Sequence, residues 1–531
     1  MKLFKLPTFF LILCLLYSSH GLAFGLDQAL ELLRQATEVV AGIKGYKRRP
    51  TRDLVIAQAN LGDWSGAMQT VELAESSSER DSILYWIGIA KAKAGDFEGT
   101  YNIATSHPQI LNRDQLLNLA ASAAAEQGDI KRAFSIVKEI SVESGHWIWA
   151  QEHIAIAQVK AGDIEGAMDT ADKLARENSY PFRGVFRAYA ILGNLDEVVK
   201  RSKRISEYWL QGYSQLGIVS GRLEINDIDG AKTTAEIIEW LHARGLAFIA
   251  IADKQLEKNF KQKARKSLKE ALRAILRIPQ GWIRGDALWR IAVLQAKSND
   301  IKKARLTADE IQAGGHRDSA LRDIAILQAE NGDYSEALQT AVGYEGSAFP
   351  DPFHFVIHTQ IKNGDLVGAK LSASRVPEKF RAEALALVAL SDANPDEIRG
   401  ILKSFPSLLK EDRFEYVISK AVEVQAKAKQ YERVMGIIEE IDVQYMQELS
   451  LRAVARVQIE SQEWKLAKVT AAKCDNKRIF KELGFAWSQV GKTLEALEWV
   501  ESLSDPFAKT YALIGIAESI KDLEDKKSIA R

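Results

Sequence analysis

This chain of 531 residues lacks an excess of either charge: 71 lysines and arginines stand against 71 aspartates and glutamates. With no net field there is nothing to concentrate a polyanion on the molecule as a whole, so nucleic acid is not expected as its main partner. Cysteine is nearly absent, Cys14 and Cys474 being the two in the chain. Once the leading segment that carries Cys14 is removed, Cys474 is the single cysteine left, which excludes an internal disulfide. Stability must then come from burial. The motifs of catalysis are missing too: there is no glycine-rich phosphate loop, zinc-protease helix, nucleophile elbow or paired-cysteine metal site. Neither enzymatic activity nor a cofactor or metal is expected. After the first two dozen residues no segment is apolar enough to span a membrane, which takes roughly 20 such residues.

Those leading residues differ from the rest. Lys2 and Lys5 precede an apolar run from Phe9 to Tyr17, then Ser18, Ser19 and a small-residue stop at Gly21-Leu22-Ala23. Basic, apolar and small segments in that order make a secretory signal peptide, residues 1–23, with cleavage expected after Ala23. An uncleaved anchor is disfavoured by the shortness of the run, and a lipid anchor on Cys14 by Leu13 before it, where lipoprotein signals carry a small residue. The expected location is outside the cytoplasm, periplasmic or extracellular.

What is present is a phrase that returns about every 33 residues: an apolar and small-rich run, Gly-Asp or a close substitute, and an alanine five positions after the glycine. It reads Gly62-Asp63 with Ala67, Gly128-Asp129 with Ala133, Gly162-Asp163 with Ala167, Asn226-Asp227 with Ala231, Asn299-Asp300 with Ala304, Gly332-Asp333 with Ala337 and Gly364-Asp365 with Ala369. In the clearest copy, Leu321, Ile324, Ala325 and Gln328 form one buried helical stripe. Asn331-Gly332 can close that helix in the left-handed conformation, and Asp333 can cap the next one. Ala337 and Ala341 give the second helix a small face. Each unit is therefore a helix, a tight turn and an antiparallel helix. First helices are expected at Asp53 to Leu61, Ile83 to Ala94, Leu116 to Gln127, Ala150 to Ala161, Ala287 to Ser298 and Arg452 to Ser461, with second helices starting near Trp64, Phe97, Ile130, Ile164, Ile301 and Trp464. Weaker copies at Gly193-Asn194, Asn259-Phe260, Lys429-Gln430, Gln462-Glu463 and Gly491-Lys492, and a degraded one near Asn394, bring the total to about 14 units.

The array is expected to divide into a capping helix in 24–50, an N-terminal array in 51–341, a joint at 342–352 and a C-terminal array in 353–531 that ends in a second capping helix. Gly346, Pro350 and Pro352 mark the joint, because proline removes a backbone donor and stops helices. Pro395 and Pro406 mark a further weak stretch. A longer second helix, Lys261 to Leu276, absorbs the wider interval between Asn259 and Asn299.

The phrase Asn331-Gly332-Asp333-Tyr334-Ser335-Glu336-Ala337-Leu338 resembles the central segment of a tetratricopeptide repeat, as do Gly62 to Ala67 and Gly162 to Ala167. The likeness covers almost everything after Phe24. The family's bulky aromatic, small residue and tyrosine are replaced here by Leu321, Ala325 and Gln328, and the closing proline is generally missing. The resemblance implies an all-α fold, a right-handed solenoid of stacked helix-turn-helix repeats. It also implies a groove lined by the first helices that holds a peptide or a partner's helix. In the family's register that groove carries Trp149, Glu152 and Lys160, then Arg183 and Arg187, Trp289 and Lys297, Arg322 and Glu330, His354, His358 and Lys362, and finally Arg452, Arg456 and Glu460.

Each such residue also has a plainer role. Trp86, Trp147, Trp149, Trp282 and Trp289 sit at helix starts, where bulk between repeats is commonly core. His354 and His358 are four apart and could share a metal, but no third ligand accompanies them. The basic run Lys258 to Arg277, with Glu270 as its single acid, is either the wet face of a helix or a contact for an anionic surface. The expected function is that of an exported, non-enzymatic scaffold binding a protein or peptide in the cell envelope. A polysaccharide or cell-wall factor is the alternative.

Overall fold

The computed structural model describes residues 24–45, 47–175, 180–193, 195–312, 314–346, 351–392, 429–439 and 444–530. The expected signal peptide 1–23, residues 347–350 of the expected joint, and the expected degraded repeat with Asn394, Pro395 and Pro406 lie outside them. Every regular element among the described residues is a helix.

The turn that joins two helices of a repeat is the same object each time. Gly62, Gly95, Gly128, Gly162, Gly193, Gly332, Gly364 and Gly491 take φ between +79° and +88°. That conformation lets the amide of the next residue reach back five positions: Asp63 N donates to Gln58 O at 2.9 Å while Gly62 N donates to Ala59 O at 3.1 Å. The last carbonyls of the first helix are thereby satisfied. Asn226, Asn259, Asn299, Lys429 and Gln462 adopt the same left-handed conformation with a side chain, at φ of 58° to 63°. Glutamine has none of asparagine's tolerance for it. Gln462→Gly should therefore raise stability by about 1 kcal/mol, read as a shift in denaturation midpoint, whereas Gly62→Ala should lower it by a similar amount.

The aspartate after the turn caps the second helix. Asp63, Asp96, Asp163, Asp227 and Asp365 each accept from the amide of a glycine three residues on, at 2.8–3.0 Å. A Cβ on those glycines would fall 2.1–2.3 Å from the capping carboxylate. Asp333, expected to cap in the same way, occupies the cap position but makes no side-chain cap bond, and neither does Asp300. Their third residues are Glu336 and Lys303. Asp300 turns to Lys303 Nζ at 2.7 Å instead. Asp129, with Arg132 in that place, keeps its cap bond at 3.0 Å.

A buried amide ties the two helices together, a feature the sequence reading missed. Gln158 accepts from Thr170 Oγ1 at 3.0 Å and donates to the capping Asp163 at 2.9 Å. Ser267 donates to Gln255 at 2.9 Å and Thr340 to Gln328 at 2.7 Å in the same way. Where lysine replaces the glutamine, Lys91 Nζ reaches Asp96 at 2.6 Å. The signal lies in the sequence as a glutamine four residues before the left-handed residue and a threonine or serine eight after it.

The chain forms two compact units: Lys91–Val454, and a second made of Met1–Ala90 with Ala455–Arg531. In the first, consecutive first helices lie side by side: Arg113–Glu126, Gly145–Lys160, Tyr180–Ile191, Tyr208–Glu224, Leu241–Glu257, Trp282–Lys297, Gly315–Glu330, Pro352–Lys362 and Glu378–Asp392. The shorter second helices, such as Ile228–Glu236 and Ile301–Asp309, pack against their own first helix and the next one. Alanines such as Ala231, Ala304 and Ala337 are wholly buried at these contacts. Gly217 and Gly221 bring the Tyr208–Glu224 backbone onto its neighbour, where a Cβ would meet Arg183 O at 2.4 Å and Arg187 O at 2.6 Å.

In the second unit the helix Leu26–Ala41 lies against the final helix, Pro506–Ala530. Both were expected to cap exposed ends, but each covers the other's apolar side. Leu33, Ala36 and Val40, and Ala512, Ile516 and Ile520, are buried. The final helix continues ten residues beyond the buried Ile520, through Lys526–Asp522 at 2.6 Å and Lys527–Glu524 at 2.7 Å, pairs of the spacing that supports a solvated helix.

Candidate functional site

First helices begin earlier than expected, and those early turns carry the aromatic residues. Trp282–Lys297 starts five residues before the expected Ala287, and Gly145–Lys160 starts five before Ala150. Their apolar stripe begins only at the alanine, so the preceding turns show no buried period to read. Trp282 is 73% exposed and Trp149 52%, with Trp86 also exposed. The core role expected for these indoles is thus corrected at three positions: Trp149 and Trp282 precede the stripe that faces a neighbour, and Trp86 lies off it, between the buried Leu84 and Ile87. Trp289, seven residues after Trp282, is half-buried.

Trp289 anchors a cavity of about 370 Å³ in the Lys91–Val454 unit. The walls come from five consecutive first helices: Arg183, Leu216, Ile249 with Asp253, Trp289 with Lys297, and Asp323. The indole is fixed on both sides. Its Nε1 donates to Asp323 Oδ2 at 2.9 Å, and its ring stacks on His316 with centroids 6.1 Å apart. Asp323 also accepts from Arg322 Nε at 3.2 Å. Arg183 and Lys297 are exposed and make no ion pair among the described residues. Arg290, the third cation on the wall, is held by Asp286 at 3.1 Å. An apolar wall with a fixed indole and two cations outside any ion pair can accept an apolar side chain next to an anionic group.

Of the residues expected to line a groove, Arg183, Trp289 and Lys297 share this cavity, and Arg322 supports it through Asp323. Glu152 stands against Gly184, where a Cβ would fall 2.3 Å from its Oε1. Burial pushes its carboxyl above the usual range, and the nearby Arg183 guanidinium pulls the other way. Trp149 is engaged edge-on by His146 at 5.0 Å. Lys160, Glu330 and Lys362 stand exposed at the C-terminal ends of their helices, and Arg452 is half-buried. Arg187 is committed to Glu224, and Arg456 to Glu482 through two bonds of 2.7 and 2.8 Å. Glu460 is exposed.

His354 is a correction: it is 0% exposed, and its Nδ1 lies 2.7 Å from Asp351 Oδ2. Asp351 caps the Pro352–Lys362 helix through the amides of Phe353 and His354, so this pair belongs to the helix start and not to a surface. His358 is half-buried one turn on. Among the described residues no group of three His, Cys, Asp or Glu side chains could hold a metal, and no helix is long and apolar enough to cross a membrane.

A second, more polar pocket of about 470 Å³ lies in the unit that joins the chain's two ends, lined by Asp53, Arg478, Lys481, Glu482, Phe485 and Glu518. Its charges are spent on one another. Arg478 grips Asp53 through Nε at 2.7 Å and Nη2 at 2.8 Å, Lys481 meets Glu518 at 2.7 Å, and Glu482 holds Arg456.

No protein-family model and no curated protein matches this chain. Among solved structures it is similar to Naa15/Naa10 bound to HypK-THB, at 14% identity over 88% of this chain and 84% of that one, with a TM-score of 0.29. It is also similar to the pentatricopeptide repeat protein PPR10 from maize, at 12% identity over 99% and 98%, TM-score 0.25. A third likeness is to a circular tandem repeat protein with novel repeat topology, at 13% identity over 96% and 100%, TM-score 0.12. What this chain is as a fold rests on its own helix pairs.

Proposed function

We propose that this protein is an exported, non-enzymatic helical-repeat scaffold that holds a protein or peptide partner of the cell envelope against its first helices. The observation that carries the reading is the cavity built by five successive first helices around Trp289, with Arg183 and Lys297 at its wall and in no ion pair among the described residues. Repeat arrays bind through such continuous surfaces because each unit contributes one strip of the same wall. Export rests on the order of basic, apolar and small residues in 1–23, and predicts a mature N-terminus at Phe24 by Edman or mass-spectrometric sequencing.

The test is in-cell crosslinking followed by mass spectrometry, comparing the native chain with Arg183→Glu/Lys297→Glu. Crosslinks to one partner should map to the five first helices, and recovery should fall at least about tenfold in the variant while its thermal melt is unchanged. Equal recovery from both proteins would remove this cavity from the reading. The exposed indoles of Trp149 and Trp282 favour a second reading, in which sugar rings stack on them and the partner is an envelope polysaccharide. Glycan binding that survives Trp149→Ala/Trp282→Ala would end that alternative.

A further inference from the structure

The Lys261–Ile275 helix buries Ala264, Leu268, Ala271 and Ile275 and turns a basic face to solvent. Lys266, Lys269 and Arg273 follow at spacings of three and four, so they share one side of the helix. Lys258, Lys261, Lys263 and Arg277 are exposed around them. Arg265 leaves this face to donate to Ser298 O at 2.6 Å and Asn299 O at 3.1 Å, which places the helix beside the start of the next second helix, Ile301–Asp309. There Lys302 and Arg305 are exposed.

The acids in and beside this surface are already taken. Glu257 pairs with Lys254, Glu270 with Arg273, Asp300 with Lys303, Asp309 with Arg317 and Glu310 with Arg284. Lys258, Lys261, Lys263, Lys266, Lys269, Arg277, Lys302 and Arg305 make no ion pair among the described residues. In a chain whose formal net charge is zero this is a local excess, not a share of a general one. Large apolar side chains stand among the cations: Phe260, with Lys263 Nζ 5.3 Å from its ring, Leu276 and Leu306 are all exposed.

We propose that this face, spread over two neighbouring second helices, docks on an anionic lipid bilayer. Cations on more than one helix match a sheet of headgroups better than the single line of charge on a polymer. The interleaved Phe260, Leu276 and Leu306 suit the boundary between headgroups and acyl chains. The helix does not insert, because its apolar side is already spent on the repeat core. Docking through second helices leaves the Trp289 cavity, on the first helices, independent of it.

The full chain is sedimented with phosphatidylcholine vesicles made with and without phosphatidylglycerol. Binding should require the anionic lipid and fall at least about tenfold when salt shortens the Debye length from about 30 Å to about 3 Å. Lys261→Glu/Lys266→Glu/Lys269→Glu should weaken it at least about tenfold, since each charge near the surface contributes independently. Lys131→Glu/Lys138→Glu/Lys173→Glu, an equal change of charge on exposed positions elsewhere, should leave it intact, and both variants should melt as the native chain does. No binding to anionic vesicles, or equal loss in the two variants, overturns the proposal. Patch-dependent retention on a polyuronate resin without vesicle binding also overturns it, in favour of a linear polyanion.

Discussion

Gly515→Val should destabilise the unit that joins the chain's ends by about 3 kcal/mol, the upper part of the range for forcing volume into a packed contact. A Cβ on Gly515 would sit 2.1 Å from Lys481 O and 2.9 Å from both Lys481 C and Phe485 N, all backbone atoms that no rotamer change can move. The opposing Gly484 meets Ala512 O at 2.6 Å by the same measure, so the helices Ile479–Gln489 and Pro506–Ala530 touch along glycine on both sides. Separating them would also stretch Lys481–Glu518 at 2.7 Å and the Gln489 bond to Asp522 at 2.8 Å. The readout is the denaturation midpoint together with hydrogen exchange in these two helices. Gly436→Ala is the contrast: Gly436 is exposed within Tyr431–Glu439 with open space around its Cβ position, so alanine there should stabilise by about 1 kcal/mol.

Both positions are simple glycines in the sequence, and only the structure separates them. Local rules were legible: the second helices begin at Trp64, Phe97, Ile130, Ile164, Ile301 and Trp464 as expected, because a left-handed residue followed by a capping residue fixes that start within two positions. First-helix starts were not, since exposed aromatic turns such as Trp282 to Asp286 carry no buried period. The cavity was legible in part. Register on the turn brought Arg183, Trp289 and Lys297 to the same surface, yet it also assigned His354, whose burial depends on Asp351 three residues before it. Asp253 and Asp323 were missed because nothing in the repeat distinguishes them from any other helical carboxylate. Least legible was the meeting of Leu26–Ala41 with Pro506–Ala530, a contact between elements hundreds of residues apart for which the repeat period gives no signal.

Arg478→Ala should lower the stability of that same unit by about 2 kcal/mol and loosen the contact between the chain's ends first. Asp53 lies on the early helix Arg48–Asn60, and its side chain is only 12% exposed. Arg478 covers it from the other end of the sequence through two bonds, and Tyr511 Oη donates to its Oδ2 at 3.3 Å. Removing the guanidinium leaves a carboxylate largely out of water with Tyr511 and, at 3.3 Å, Arg52. A fully buried orphan of this kind costs about 3–5 kcal/mol, and the solvent that reaches Arg478 reduces the figure. Asp53→Asn/Arg478→Ala should recover part of the loss, since no charge is then stranded. A cycle in which the two changes simply add would show that the pair contributes nothing beyond its parts. Tyr511 supplies a pH signature for the same hub. Burial, and then the Asp53 charge, push its hydroxyl up to about 12, above its ordinary value of 10.0. The folded state thus holds this proton more tightly than the unfolded chain does. Its contribution is complete below pH 10 and is lost as pH rises from 10 towards about 12. Tyr511→Phe should flatten that alkaline decline, and in the native chain hydrogen exchange in Leu26–Ala41 and Pro506–Ala530 should accelerate across this window beyond the intrinsic effect of hydroxide. Exchange that rises equally in Trp282–Lys297, which has no part in the hub, would assign the alkaline loss elsewhere.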